Sequence, residues 1–200
     1  LIRNDRVIWA SCMVACEDAD AMITGNTRRY SSSLEKIIKV VDPRPGEIMF
    51  GLNLVVNRGK TIFICDTSVI EYPDAKQLAE MAKSAARVAK LFGFDPKVAF
   101  LSHSTFGEPA TDRTKRLSDA VQILKKSAVD FKFDGEMQPD VALNPKFKTA
   151  YPFSEIVGNA NVLVMPSIHA AAVSTKMLKE LGGGKVIGPL LIGLAQPIEV

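Results

Sequence analysis

Val98-Ala99-Phe100-Leu101 runs directly into Ser102-His103-Ser104-Thr105-Phe106-Gly107-Glu108-Pro109, an apolar segment emptying into a polar, glycine-containing loop. Ahead of a helical pattern, this order places hydroxyls and free backbone N–H groups at the carboxyl edge of a sheet, where α/β folds bind anions. An ordinary connection capped by serine and threonine has the same wording, and the loop alone does not separate the two readings.

Outward from that loop, the hydrophobic period alternates between strand and helix to both ends of the chain, with no repeat, low-complexity tract or long linker. The alternation predicts an α/β fold. Toward the N-terminus, Asp5 to Cys16 reads as a helix and Ala21 to Gly25 as a short buried strand. Ser32 and Glu35 have capping-box spacing before Leu34, Ile37, Ile38 and Val41, and a turn over Pro43 to Gly46 ends that helix. Ile48 to Val56 and Thr61 to Cys65 are joined by Asn57-Arg58-Gly59-Lys60, the chemistry of a hairpin turn, so an antiparallel pair interrupts the rhythm. Pro73-Asp74 opens the clearest helix, with Leu78, Met81, Ala85, Val88 and Phe92 on one stripe and Gly93 as its stop.

Toward the C-terminus, Leu117, Val121 and Leu124 mark a helix, and Val129, Phe131 and Phe133 alternate as a strand into Asp134-Gly135-Glu136. Asn161 to Pro166 is an apolar strand, Val173, Met177, Leu178 and Leu181 follow at helical spacing, and Val186 to Ile192 is strand-like. Gly182-Gly183-Gly184 follows a helix and precedes a strand, the reverse of a phosphate loop, and reads as a helix stop. Strand carboxyl ends near Thr67, Ser102, Asp134 and Pro166 are expected to line one rim of a parallel sheet.

The chain has 200 residues, 47% hydrophobic, which is enough for a substantial core, and its net charge of +3 comes from well-mixed signs rather than a basic face. Nucleic acid is therefore not an expected partner. Apolar runs break within about ten residues, so no membrane span is expected. Three cysteines, Cys12, Cys16 and Cys65, are too few for a disulfide framework and point to a reducing, cytoplasmic setting. With only His103 and His169 as imidazoles, they read as small buried side chains rather than metal ligands. A start at Leu1 without Met and a stop at Val200 inside an apolar pattern suggest a portion of a longer polypeptide.

Several groups are candidates for chemistry. Asp134, Glu136 and Asp140 form an acidic group suited to Mg²⁺ or proton transfer, or to an ordinary solvated turn. Asp66 either orients the neighbouring Thr67 hydroxyl or accepts backbone N–H bonds. Arg28-Arg29 is the best basic pair for a phosphate, against the reading of a solvated loop pair. Nothing in the chain order fixes a Ser/Asp arrangement around His103, so no triad is read.

Six blocks then occur in order: Asp20 to Gly25, Asp66 to Val69, Leu101 to Gly107, Asp134 to Met137, Ala160 to Pro166 and Ile187 to Gly193. Together they resemble the phosphate acetyl/butyryltransferase family over nearly the whole chain. Within it, the wording is most similar to the transferase-like domain fused C-terminally to bacterial NADP-dependent malic enzymes. The resemblance implies a phosphotransacetylase-like α/β fold (isocitrate/isopropylmalate dehydrogenase-like): a sheet flanked by helices, with a hairpin, in two lobes around a cleft. Residues 1–45 would belong to the first lobe, 46–165 to the central lobe and 166–200 to a segment returning toward the first.

The resemblance also implies a ligand, coenzyme A or acetyl-CoA, contacted by Ser102, Ser104, Thr105 and Gly107, with Asp66, Thr67 and Pro166 shaping the pocket and Arg28 and Arg29 as further anion contacts. NADP and Mg²⁺ or Mn²⁺ would belong to the malic-enzyme part, outside this chain, and the assembly would be a homodimer or larger homo-oligomer. Three positions depart from working phosphotransacetylases: Glu35 stands where they usually carry arginine, Thr67 where cysteine is frequent, and Phe106 where lysine precedes the glycine. A carboxylate at Glu35 and the lost cation at Phe106 weaken a site for a phosphate anion. The expectation is a domain that senses acetyl-CoA with little transferase activity. An active acetyltransferase and an oligomerisation module are the alternatives.

Overall fold

A computed structural model describes residues 4–200; Leu1 to Arg3, the start of the expected first lobe, lie outside the described residues. The hairpin forms as its sequence predicts. β2 (Phe50–Asn57) turns through Arg58 and Gly59, both at positive φ, into β3 (Lys60–Cys65). A two-residue turn of that handedness matches the twist of the strands it joins.

Around the hairpin a six-stranded sheet has the order β5-β4-β6-β3-β2-β7, adding β4 (Lys97–Leu101), β5 (Lys132–Met137), β6 (Val162–Val164) and β7 (Lys185–Ile192). β3, β6, β4 and β5 are parallel, and β2 opposes both β3 and β7. Successive residues of the central strands face opposite sides, so Phe63, Val98, Phe100, Val162 and Val164 bury against one helical layer and Ile64, Ala99, Leu101 and Leu163 against another.

The first layer holds α3 (Ala75–Leu91) and α4 (Asp112–Lys125). Asp74 caps α3 in a reciprocal box with Gln77, the bonds being 2.8 and 2.9 Å, and Leu78, Met81 and Ala85 are fully buried beneath it. The second layer holds α5 (Pro139–Leu143), a 3₁₀ turn over Pro145–Thr149 and α6 (Ile168–Gly182), which stops at Gly183 in the left-handed conformation. The glycine triplet is thus a helix stop. Beside the main sheet, β1 (Met22–Ile23) pairs in parallel with β8 (Ile198–Glu199), and α1 (Arg6–Ala15) and α2 (Tyr30–Ile37) close a separate small core around Val14, Ile37, Val41 and Ile198. Of residues 166–200, α6 and β7 lie with the six-stranded sheet, and β8 alone joins β1.

Four local expectations differ. Ser32 and Glu35 do not cap α2, which starts at Tyr30; that start turns Ser33 and Ile37 inward and brings the Tyr30 hydroxyl to Ser68. β1 is only two residues long and leaves Ile23 exposed, because it pairs with the equally short β8, its one strand neighbour among the described residues. β5 continues past Asp134 to Met137, since Gly135 lies flat against Phe100, where an added Cβ would come within 2.8 Å of the Phe100 Cβ. Finally, Val173, Met177 and Leu181 point outward from α6, whose buried face is the small pair Ala171 and Thr175.

Candidate functional site

The carboxyl rim of the parallel strands carries the loops after β3, β4, β5 and β6. After β3, the buried Asp66 accepts N–H bonds from Gly51 (2.8 Å), Ser68 (2.8 Å), Val69 (3.1 Å) and Ile70 (2.5 Å). Burial pushes this carboxyl above its ordinary value, and the four N–H bonds pull against it. Of its two readings, Asp66 is therefore the backbone acceptor that shapes the loop. The Thr67 hydroxyl contacts the Gly51 carbonyl and Asn53 Oδ1, each at 3.2 Å, and so turns back onto β2.

After β4, the loop is fastened from beneath by the end of β5. Ser104 Oγ lies 3.1 Å from both Ser102 Oγ and Glu136 Oε1, and the Gly107 N–H donates to the same carboxylate oxygen at 2.6 Å. The Phe106 N–H reaches the Glu136 carbonyl, the Gln138 N–H reaches Thr105 Oγ1, and Gln138 Nε2 reaches the His103 carbonyl. Glu136 is only 2% exposed, and its Oε1 accepts from within this loop rather than from solvent.

A cleft of about 550 Å³ opens beside the loop between Ser102, His103, Tyr72, Pro166, Arg113 and Arg116. Arg116 Nη2 donates to the Pro166 carbonyl at 2.8 Å, bridging α4 to the end of β6. Ser102 and Pro166 thus meet in this cleft as expected from the sequence. Ser104, Thr105 and Gly107 instead act through the loop's internal bonds, while Asp66 and Thr67 shape the next loop along the rim. Arg28 and Arg29 belong to the small core: Arg28 pairs with Asp5 at 3.3 Å, and Arg29 is the exposed residue before α2.

Arg113 and Arg116 were missed by the sequence reading, which named only the apolar Leu117, Val121 and Leu124 of that helix. The available signal was their spacing of three residues at the start of a helix following a serine-rich loop. The acidic group also reads differently in three dimensions. Asp134 accepts from Gly135 and Asp140 from Val141, Glu136 is turned into the loop, and among the described residues no three His, Cys, Asp or Glu side chains gather as a metal site. The rim therefore receives Gln138 from β5 in place of Asp134. Of the cysteines, only Cys65 is buried, Cys12 is half-buried and Cys16 is exposed at the end of α1, where the chain leaves the core.

The departures noted in the sequence also have places. Glu35 is exposed on α2. Phe106, at positive φ, packs its ring against Phe153 and Tyr151, with centroids 4.8 and 5.4 Å away, and does not line the cleft beside Ser102.

Residues 1–200 match the sequence profile of the phosphate acetyl/butaryl transferase family. The chain belongs to this family. Over 200 residues it is 48% identical to an NADP-dependent malic enzyme of Rhizobium meliloti, covering 100% of this chain and 26% of that protein. It is 34% identical over 183 residues to a phosphate acetyltransferase of Bacillus subtilis, covering 90% of this chain and 57% of the relative. A phosphotransacetylase from Streptococcus pyogenes superposes with a TM-score of 0.90 at 29% identity, over 96% of this chain and 59% of that one. EutD phosphotransacetylase from Staphylococcus aureus gives 0.85 at 28%, over 96% and 60%. This phosphate acetyl/butaryl transferase domain thus spans about a quarter of its malic-enzyme relatives and under two thirds of the transferases. Among the described residues, no helix is long and apolar enough to cross a membrane.

Proposed function

We propose that this domain binds acetyl-CoA as a regulatory effector of a cytoplasmic NADP-dependent malic enzyme and transfers acetyl groups to phosphate poorly. Malate oxidation and decarboxylation to pyruvate, with NADP and Mg²⁺ or Mn²⁺, would occur outside these 200 residues. The single observation that carries this reading is the loop Ser102 to Gly107. Glu136 keeps it in shape from beneath, and its Phe106 side chain packs into an aromatic cluster with Phe153 and Tyr151, away from the cleft, so this position brings no cation to an acyl phosphate. Regulation then requires only that acetyl-CoA prefer one arrangement of the assembly over another. Within this proposal Ser102 and Pro166 touch the ligand directly.

The test is calorimetric titration of the full-length protein with acetyl-CoA, together with malate-dependent NADPH formation across the same concentrations. Saturable binding that changes the malate rate is the expected result. Binding with no effect on that rate, or no binding, refutes the regulatory role.

A second reading, an active phosphate acetyltransferase, is favoured by the guanidinium groups at the cleft. There the coenzyme A sulfur would attack the acetyl carbonyl, the carbonyl carbon's bond to phosphate oxygen would break, and the thiol proton would end on the released phosphate. A homodimer is favoured by the outward apolar residues of α6 beside the unpaired edge of β7; sedimentation of the full-length protein decides it.

A further inference from the structure

Arg113 and Arg116 sit at the second and fifth positions of α4, in the part of a helix where the macrodipole already places positive charge. They lie on one face, since residues three apart are neighbours on a helix. The only carboxylate of that first turn is Asp112, and among the described residues neither arginine forms an ion pair with a carboxylate. Asp74 acts on Arg116 from a distance, and nearby Glu71 is taken by His169 at 3.2 Å. Burial, and then repulsion from Arg113, hold the Arg116 guanidinium below its ordinary value. Arg116 Nε is buried without a partner, although Nη2 is satisfied by Pro166. The cap of α6, Ser167, lines the same cleft, so a second helix N-terminus adds to the positive potential.

Two guanidinium groups and two helix N-termini converge on a hollow in which, among the described residues, no carboxylate pairs with either arginine. Such local conflict, built on rigid helices, is the mark of a site that waits for a ligand. We propose that Arg113 and Arg116 form a subsite for a phosphate ester, each guanidinium bridging two of its oxygens. The subsite rests on the acyl-CoA reading given above, and the cavity favours the nucleotide end of coenzyme A over a small acyl phosphate. About 550 Å³ is far more than orthophosphate fills, and the exposed Tyr72 ring, 6.0 Å from the His169 ring, gives a purine a flat surface at the mouth.

The test is calorimetry on the full-length protein with 3′,5′-ADP, acetyl-CoA, acetyl phosphate and orthophosphate. Wild type is compared with Arg113→Gln/Arg116→Gln, with Arg113→Gln, and with Lys115→Gln, which removes one positive charge, as Arg113→Gln does, but from the exposed pair with Asp119. Arg113→Gln alone serves if the double variant has a lowered melting midpoint. The expected result is that 3′,5′-ADP competes with acetyl-CoA, and that the arginine variants weaken both by about tenfold or more while Lys115→Gln changes neither. Arginine-dependent binding of acetyl phosphate or orthophosphate without 3′,5′-ADP competition keeps the phosphate subsite and assigns it to the acyl phosphate. Acetyl-CoA binding that the arginine variants leave unchanged overturns the subsite and spares the acyl-CoA reading. Arginine-dependent 3′,5′-ADP binding without acetyl-CoA binding does the reverse, and no binding of any of the four overturns both.

Discussion

Gly51 is the position where one added carbon tests the rim most sharply. Its N–H donates to Asp66, its carbonyl receives the Thr67 N–H at 3.0 Å, and a Cβ would fall well inside contact of Ser68 Oγ. The same Cβ would stand 3.0 Å from the Ser68 Cβ and 3.1 Å from Thr67 Oγ1, short of the 3.4 Å at which ordinary contact begins. Gly51 is not at positive φ, so alanine suits the strand and by itself returns about 0.5–1 kcal/mol through the unfolded chain. Against this, rotating Ser68 breaks its 3.0 Å bond to Tyr30, about 1 kcal/mol, and the remaining Cβ overlap adds about 1–3 kcal/mol of overpacking. Gly51→Ala is therefore expected to destabilise by about 1–3 kcal/mol, read by urea unfolding, and to weaken acetyl-CoA binding in calorimetry. Adding Ser68→Gly removes the two shortest overlaps and should recover most of the stability, a coupling expected of residues in contact. A loss under about 0.5 kcal/mol, or a double variant no better than Gly51→Ala, would show that the loop does not rest on β2 as described.

Asp5 accepts from the Val7 and Ile8 N–H groups and pairs with Lys36 and Arg28, and the Lys36 bond, ahead of the others, holds its carboxyl well below the usual range. A depressed value stabilises the fold above the unfolded pKa of about 3.9 and is lost as pH falls through the folded one. Asp5→Asn should accordingly be less stable than wild type at neutral pH, with the gap narrowing below about pH 4; a gap independent of pH contradicts the pairing. Thiol labelling of the native protein should modify Cys16 and spare Cys65, whose burial pushes its thiol up and removes it from solvent; rapid modification of Cys65 contradicts the core. Phe106→Lys should lower stability by about 1–2 kcal/mol through loss of the Phe153 and Tyr151 contacts. A coupled assay should show no gain in acetyl-CoA formation, because position 106 faces that cluster; a clear gain contradicts the loop geometry.

The features legible in the sequence were those decided locally. The helix start at Pro73-Asp74, the Arg58-Gly59 turn and the stop at Gly183 depend on residues a few positions apart, and each formed as its neighbours dictated. Misreadings arose where a distant partner decided the outcome. Ser32 has a capping neighbour at Glu35, but burial of Ser33 and the reach of Tyr30 to Ser68 move the start of α2 forward. Hydrophobic spacing correctly marked α6 as a helix, yet Val173, Met177 and Leu181 occupy its outer face, because small Ala171 and Thr175 allow close approach to the sheet. At the site, the loop Ser102 to Gly107 and its neighbour Pro166 were visible as strand ends. Its underpinning by Glu136 and the turn of Arg113 and Arg116 toward Ser102 required the crossing of β4, β5 and α4 in space.

The most direct test of the account follows acetyl-CoA formation from acetyl phosphate and coenzyme A by the full-length protein, beside a dedicated phosphotransacetylase at equal concentration. The account predicts tight acetyl-CoA binding in the same preparation with only marginal turnover. Turnover comparable to the dedicated enzyme would contradict it, and would show that the cleft still presents enough positive charge to an acyl phosphate for transfer.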